Sequence, residues 1–169
     1  MASEAAPCTN IDRVSMSFVS PGDKMKTSYS HHNHAVGDNF WHMQWCPKYR
    51  YQIFRKFKYK NLVAACIRKT AKEHGIVVHA LEVMEDHIHT VVSIPHTMSV
   101  SRATQLLKGR SSYLFFKYHE EARLRYPQGH LWSRGTFRTS VGYSDLPTTL
   151  KYVNEQQAHH ALPSGNLSL

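Results

Sequence analysis

Two runs of apolar, largely β-branched residues, Ile76 to Met84 and His87 to Ile94, are separated only by Glu85-Asp86. Runs of this length and composition read as buried strands, and the short polar step between them is a turn. Pro95 ends the second run. Helical periods flank the pair. From Asn61 to His74 the apolar set Leu62, Val63, Cys66, Ile67 and Ala71 has helical spacing, with Gly75 as the stop. From Ser99 to Tyr118 a stripe of Val100, Ala103, Leu107 and Leu114 predicts a longer helix, capped by Ser99.

The outer segments complete the pattern. Trp41, Met43 and Trp45 alternate with polar residues as in a strand with one buried face, and Pro47 closes it. Residues 120–130, with Pro127 and Gly129, predict a polar loop. A strand is expected from Leu131 to Val141, interrupted at Gly135, and then a helix with Asp145 as cap and Pro147 in its first turn. Its apolar face carries Leu146, Leu150 and Val153. The order β-α-β-β-α-β-α predicts an α+β fold, a ferredoxin-like, split-βαβ antiparallel sheet with helices packed on it. That fold hosts many functions and decides none.

A chain of 169 residues has room for one core. Residues 1–37, rich in Ser, Pro, Asn and His, predict a flexible extension, and residues 159–169 a frayed tail. Lys and Arg number 21 against 12 Asp and Glu, a net charge of +9 at pH 7. This imbalance favours a polyanionic partner, of which nucleic acid is the commonest. No apolar run approaches a membrane span and no secretory signal opens the chain. Three widely spaced cysteines, Cys8, Cys46 and Cys66, fit neither a disulfide framework nor a zinc pair. A cytoplasmic, nucleoid-associated protein is expected.

Two constellations carry chemistry. In His87-Ile88-His89 the strand period projects both imidazoles to one side and Ile88 into the core. Two adjacent nitrogen ligands make half of a metal site, although an HxH triplet arises easily among 13 histidines. Tyr152 and Gln156, spaced i, i+4, share a helix face away from the stripe of Leu146, Leu150 and Val153. A third feature is Gly109 within Lys108-Gly109-Arg110-Ser111-Ser112, in the middle of the long helix. It admits either a phosphate backbone or a packed helix.

In combination with their neighbours these residues resemble a known family. The segments are Trp45-Cys46-Pro47-Lys48-Tyr49-Arg50, Met84-Glu85-Asp86-His87-Ile88-His89, Leu107-Lys108-Gly109-Arg110-Ser111-Ser112, Leu131-Trp132-Ser133 with Ser140-Val141-Gly142, and Lys151-Tyr152-Val153-Asn154-Glu155-Gln156. In order and spacing the chain is similar to the single-tyrosine HUH transposases of small bacterial and archaeal insertion sequences. The resemblance makes residues 38–158 the catalytic domain, Tyr152 the nucleophile, and His87, His89 and Gln156 the ligands of Mg²⁺ or Mn²⁺. It implies cleavage and rejoining of single-stranded DNA at hairpin-marked element ends through a 5′-phosphotyrosine.

It also implies a homodimer with active sites completed in trans. Lys48, Arg50, Arg102, Lys108, Arg110 and Lys117 are candidate DNA-backbone contacts, and Trp132, Phe137 and Tyr113 candidate stacking surfaces. Two positions depart from the family pattern, Glu85 in place of Pro and Glu155 in place of Asn. Two alternatives stand beside this reading. One is a palindrome-associated relative that does not move its own element, and the other a domesticated, non-catalytic nucleic-acid-binding protein. A ferredoxin-like RNA-binding module would need aromatics on its central strands, and the run from His87 to Ile94 has none.

Overall fold

The computed structural model describes residues 31–32, 35–142 and 145–156. The chain passes through β1 (His31–His32), β2 (Ala35–Val36), β3 (Phe40–Trp45), α1 (Phe57–Glu73), β4 (Val77–Val83), β5 (Ile88–Ser93), α2 (Val100–Tyr118), α3 (Glu120–Arg123), β6 (Phe137–Val141) and α4 (Leu146–Asn154). Four strands form one sheet in the order β4-β5-β3-β6, each pair antiparallel. β3 and β4 therefore run parallel with β5 between them, which is the split-βαβ arrangement of the expected fold. β1 pairs with β2 inside the stretch read from sequence as a flexible lead-in. The rest of the expected extension, residues 1–30, and the tail after 156 lie outside the described residues.

The sheet has two working faces. Met43, Trp45, Ile88, Val92 and Val83 point to one side, where α1 and α2 bring Val63, Ile67, Leu107 and Phe115 into the main core. Val91 and Ala80 point to the other side and meet Val153 of α4, with Leu146 and Leu150 packed around them. The alternation along β5 thus separates Ile88, in the core, from His89, on the α4 side.

Local signals explain the boundaries. α1 ends in a Schellman motif: Gly75 sits at φ +66° and the Ile76 N–H donates to the Ala71 carbonyl at 2.9 Å. Ser99 caps α2, its hydroxyl accepting the Arg102 N–H at 3.2 Å. α1 begins four residues before the expected start, because Lys56, Lys58 and Lys60 hide the apolar period while lysine itself is a good helix former. The predicted loop 120–130 contains α3, favoured by Glu120 and Glu121 in the first turn and by burial of Ala122. The predicted strand from Leu131 shrinks to β6, with a lone bridge between Trp132 and Pro47 upstream. Asp145 takes the N-cap position of α4 without a side-chain bond; its carbonyl accepts the Thr149 N–H instead.

Tyr126 is 1% exposed, and its hydroxyl has no hydrogen-bond partner among the described residues. Burial pushes the phenol pKa up to about 12. An unpaired buried hydroxyl costs about 1–3 kcal/mol. Tyr126→Phe is therefore expected to raise stability by about 1 kcal/mol in a urea titration, since the ring packing is kept. A loss above 1 kcal/mol would mean the hydroxyl has a partner in solution.

Candidate active site

The β4–β5 turn sets the first part of the site. The Met84 N–H donates to the His87 carbonyl at 2.8 Å, closing the turn, and the Phe54 N–H donates to the Glu85 carbonyl at 3.2 Å. This anchors the turn to the 3₁₀ segment Ile53–Arg55. His87 follows directly, and His89 lies one residue into β5; their ring centroids are 5.1 Å apart. His87 Nδ1 donates to Asp86 Oδ1 at 2.6 Å, and Arg50 reaches Asp86 Oδ2 through both Nε and Nη2, at 3.1 and 2.8 Å. Burial works against the Asp86 charge, yet the bonds from His87 and Arg50 outweigh it and hold the carboxyl below its ordinary range.

Arg50 arrives there from a strained turn. Tyr49 and Arg50 have φ of +62° and +51°, consecutive left-handed residues of which neither is glycine. Each costs on the order of 1–2 kcal/mol, so the surroundings must impose the conformation. A cleft of about 710 Å³ opens beside His87, walled among others by Arg50, Arg55, Lys60, Glu85 and Asp86.

The second part comes from β3 and α4. His42, paired in register beside β5 and Thr139 of β6, lies on the face opposite Met43 and Trp45. It is buried, and its Nε2 stands 3.2 Å from Nδ1 of His89, with the rings stacked at 17°. Burial holds its pKa below the usual imidazole value. Val153 anchors α4 on Ala80 and Val91, which turns Tyr152 towards the histidines. The Tyr152 ring lies edge-on to His42 and to His89, at 6.2 Å in each case, and is half exposed. Phe137, also exposed, meets His42 edge-on at 5.9 Å.

Of the residues expected from sequence, the fold therefore brings His87, His89 and Tyr152 together. Gln156, just past the end of α4, is 3% exposed and so turned inward. The resemblance implied active sites completed in trans; within this single chain the Tyr152 ring stands 6.2 Å from that of His89. His42 was missed, because a histidine between Trp41 and Met43 reads as the wet side of a half-buried strand.

Among the described residues no group of three or more His, Cys, Asp or Glu has the arrangement of a metal site. The donor chemistry nonetheless fits a divalent ion. Two imidazoles stand side by side, each with Nδ1 held by a neighbour, and an amide is turned inward at the end of α4.

The six candidate DNA cations are dispersed. Arg50 joins the site through Asp86. Lys48 donates to Gln128, Arg102 to Gln105, and Arg110 to Glu73. Lys117 lines a separate cleft on the far layer, between α2 and α3. Lys108 is engaged within the fold: its ammonium donates to the carbonyls of Arg134 and Gly135 and to the Thr136 hydroxyl, at 3.2, 3.0 and 2.8 Å. It braces the bend before β6, and burial lowers its pKa. A Cβ at Gly109 would meet nothing within 4 Å, so helix packing does not explain that glycine. Trp132 is a core residue, donating to Ser111 and packing edge-on against Trp45.

Residues 35–156 match the family model described as "Transposase IS200 like". The chain belongs to this family. It is similar to the transposase for insertion sequence element IS200 of Salmonella typhimurium, 32% identical over 102 residues that cover 60% of this chain and 66% of that one. The ISDra2 transposase TnpA of Deinococcus radiodurans is 26% identical over 116 residues, 69% of this chain and 82% of the relative. Among solved structures, a protein described as a transposase from Deinococcus radiodurans superposes with a TM-score of 0.61 at 23% identity, covering 75% of this chain and 97% of its own. A REP-associated tyrosine transposase bound to a REP hairpin gives 0.54 at 14%, covering 78% and 74%. These two share the fold. In this IS200-like chain, the β4–β5 turn and α4 both fall inside the matched residues.

Proposed function

We propose that this IS200-like chain is a transposase that cleaves and rejoins single-stranded DNA at hairpin-marked ends, with Tyr152 as nucleophile. The observation that carries this is the approach of Tyr152 to the His87–His89 pair from a different element of the fold. The Tyr152 oxygen attacks the scissile phosphorus, forming a 5′-phosphotyrosine as the bond to the 3′ oxygen breaks and leaves a 3′-OH. The phosphoester is conserved, so attack by a 3′-OH on the phosphotyrosine reseals the strand and releases the tyrosine without ATP. His87, His89 and Gln156 would hold Mg²⁺ or Mn²⁺, which would supply polarisation of the phosphoryl group and neutralisation of its developing charge.

Arg50, Arg55 and Lys60 wall the cleft beside His87 and are suited to contacts with the DNA backbone. Lys48, Arg102, Arg110 and Lys117, dispersed over the fold, are candidate contacts to the phosphates of a hairpin, and the REP-associated structural neighbour is bound to one. One nucleophilic tyrosine per chain and two ends per transposition call for a homodimer. Residues 38–158 are the catalytic unit in this reading, with extensions on either side. Among the described residues no helix is long and apolar enough to cross a membrane.

The test incubates the protein with single-stranded oligonucleotides from both flanks of its gene and Mg²⁺ or Mn²⁺. A protein–DNA band that survives denaturing electrophoresis and needs the metal supports the reading. Binding without an adduct on any strand would favour the non-catalytic alternative. Phe137 adds a finer expectation. Exposed beside His42, it is placed to stack on a base entering the site. Base–aromatic stacking contributes about 1–3 kcal/mol. Phe137→Ala should therefore weaken single-strand binding at least roughly fivefold by fluorescence anisotropy, with unchanged melting. Affinity equal to wild type would assign Phe137 to an interface instead.

A further inference from the structure

The two central histidines are not held alike, and the difference bears on how a metal could be bound. A neutral imidazole has one N–H and one lone pair. A nitrogen that ligates a cation needs its lone pair, so the other nitrogen must carry the proton and needs an acceptor. For His87 the acceptor is evident: Asp86 Oδ1 lies 2.6 Å from Nδ1. For His89 the atom facing Nδ1 is Nε2 of His42, at 3.2 Å. His42 can serve as that acceptor only with its own proton on Nδ1.

We propose that His42 and the Arg50–Asp86 pair are positioning residues that set the tautomers of His89 and His87, so that both present Nε2 to a divalent ion. This rests on the metal-dependent reading of the site given above. His42 is not itself a third ligand, since no group of three such side chains is arranged for metal among the described residues. It is held in place from several sides. Its ring stacks on His89 and meets Phe137 and Tyr152 edge-on, so the imidazole has little room to turn over.

Asp86 is fixed with similar economy of motion. Arg50 binds one carboxylate oxygen through two nitrogens, and His87 takes the other. The left-handed pair Tyr49-Arg50 gives this arrangement a second, independent support. Non-glycine residues keep such backbone angles only where the surroundings impose them, and strain of this kind clusters at functional sites. Here the turn directs Arg50 onto the carboxylate that orients His87. Arg50 also faces the cleft beside His87, so the same side chain borders the space proposed for DNA.

The test uses the full chain, with Mn²⁺ as the probe, titrated by electron paramagnetic resonance of the free ion. Removal of an outer partner of a metal-ligating histidine typically weakens binding about 10–100-fold. Asp86→Ala and His42→Leu should each fall in that range, while His42→Gln, whose amide oxygen can accept from His89 Nδ1–H, should recover to within about threefold of wild type. Melting temperatures check that each variant is folded. Asp86 lies at a turn, so its variant serves if His42→Leu does not fold. Metal-free ¹⁵N spectra give a separate readout, with the His89 proton expected on Nδ1 in wild type and distributed over both nitrogens in His42→Leu.

If His87→Ala abolishes Mn²⁺ binding while folded Asp86→Ala and His42→Leu bind as wild type, the positioning role is overturned and the metal site stands. If His87→Ala binds Mn²⁺ as well as wild type does, both readings fall. A His89 proton found on Nε2 in the metal-free protein would overturn the role given to His42.

Discussion

Tyr152→Phe is expected to leave a folded protein that still binds single-stranded DNA and forms no covalent adduct with it. The ring is half exposed and lies edge-on to His42 and His89, contacts that phenylalanine reproduces. What disappears is the oxygen proposed to attack phosphorus. Deleting a covalent nucleophile lowers turnover by at least about 10⁴-fold, so adduct and strand transfer should both drop below detection on a denaturing gel. Stability should shift by less than about 1 kcal/mol, because among the described residues no hydrogen bond to that hydroxyl anchors α4 and its anchor is Val153. An adduct that survives in Tyr152→Phe would sink the assignment and send the search to the other tyrosines, of which Tyr49, Tyr51, Tyr113 and Tyr118 are exposed.

Phe115→Ala should be the most damaging change to the fold among single substitutions far from the site. Phe115 is fully buried on α2, and its ring meets Phe54, Tyr59 and Phe116. It therefore ties α2 to α1 and to the 3₁₀ segment that holds the β4–β5 turn. Truncating such a ring costs about 3–5 kcal/mol, a transfer loss plus the cavity left behind. A thermal melt should fall by roughly 10–20 °C. Activity lost in parallel with folded fraction would fit a core role. A melt lowered by less than about 5 °C would show that the three rings relax into the gap.

The fold was legible in the sequence because its periods are clean. Ile88 between His87 and His89 announces which side of β5 faces the core, and Leu146, Leu150 and Val153 announce how α4 lies, leaving Tyr152 on another side. α1 was read a turn short because a run of lysines has no apolar period, and α3 was missed because a single turn hides within a polar loop. The site was only partly legible. His42 looks like a wet residue until α4 covers that face of the sheet, and nothing local to β3 reports the cover. Lys108 looked like a phosphate contact by its charge. Its actual partners lie 26–28 residues further along the chain, a relation that short-range pattern cannot carry.

The second core cluster has a consequence for motion. α4 is nine residues long, and the buried side chains beneath it are Val153, Val91 and Ala80, against the much larger set that holds α1 and α2 to the other face. A helix this short is marginal by itself and depends on that small patch. Its amides should therefore exchange with solvent through a low-energy local opening, well before those of α1, α2 or β5. The proposed nucleophile rides on the least firmly attached helix around the sheet, whereas both histidines sit at the head of a central strand. On a hydrogen-exchange map the reacting partners would belong to different cooperative units, the slow one fixed and the fast one able to lift away without unfolding the other.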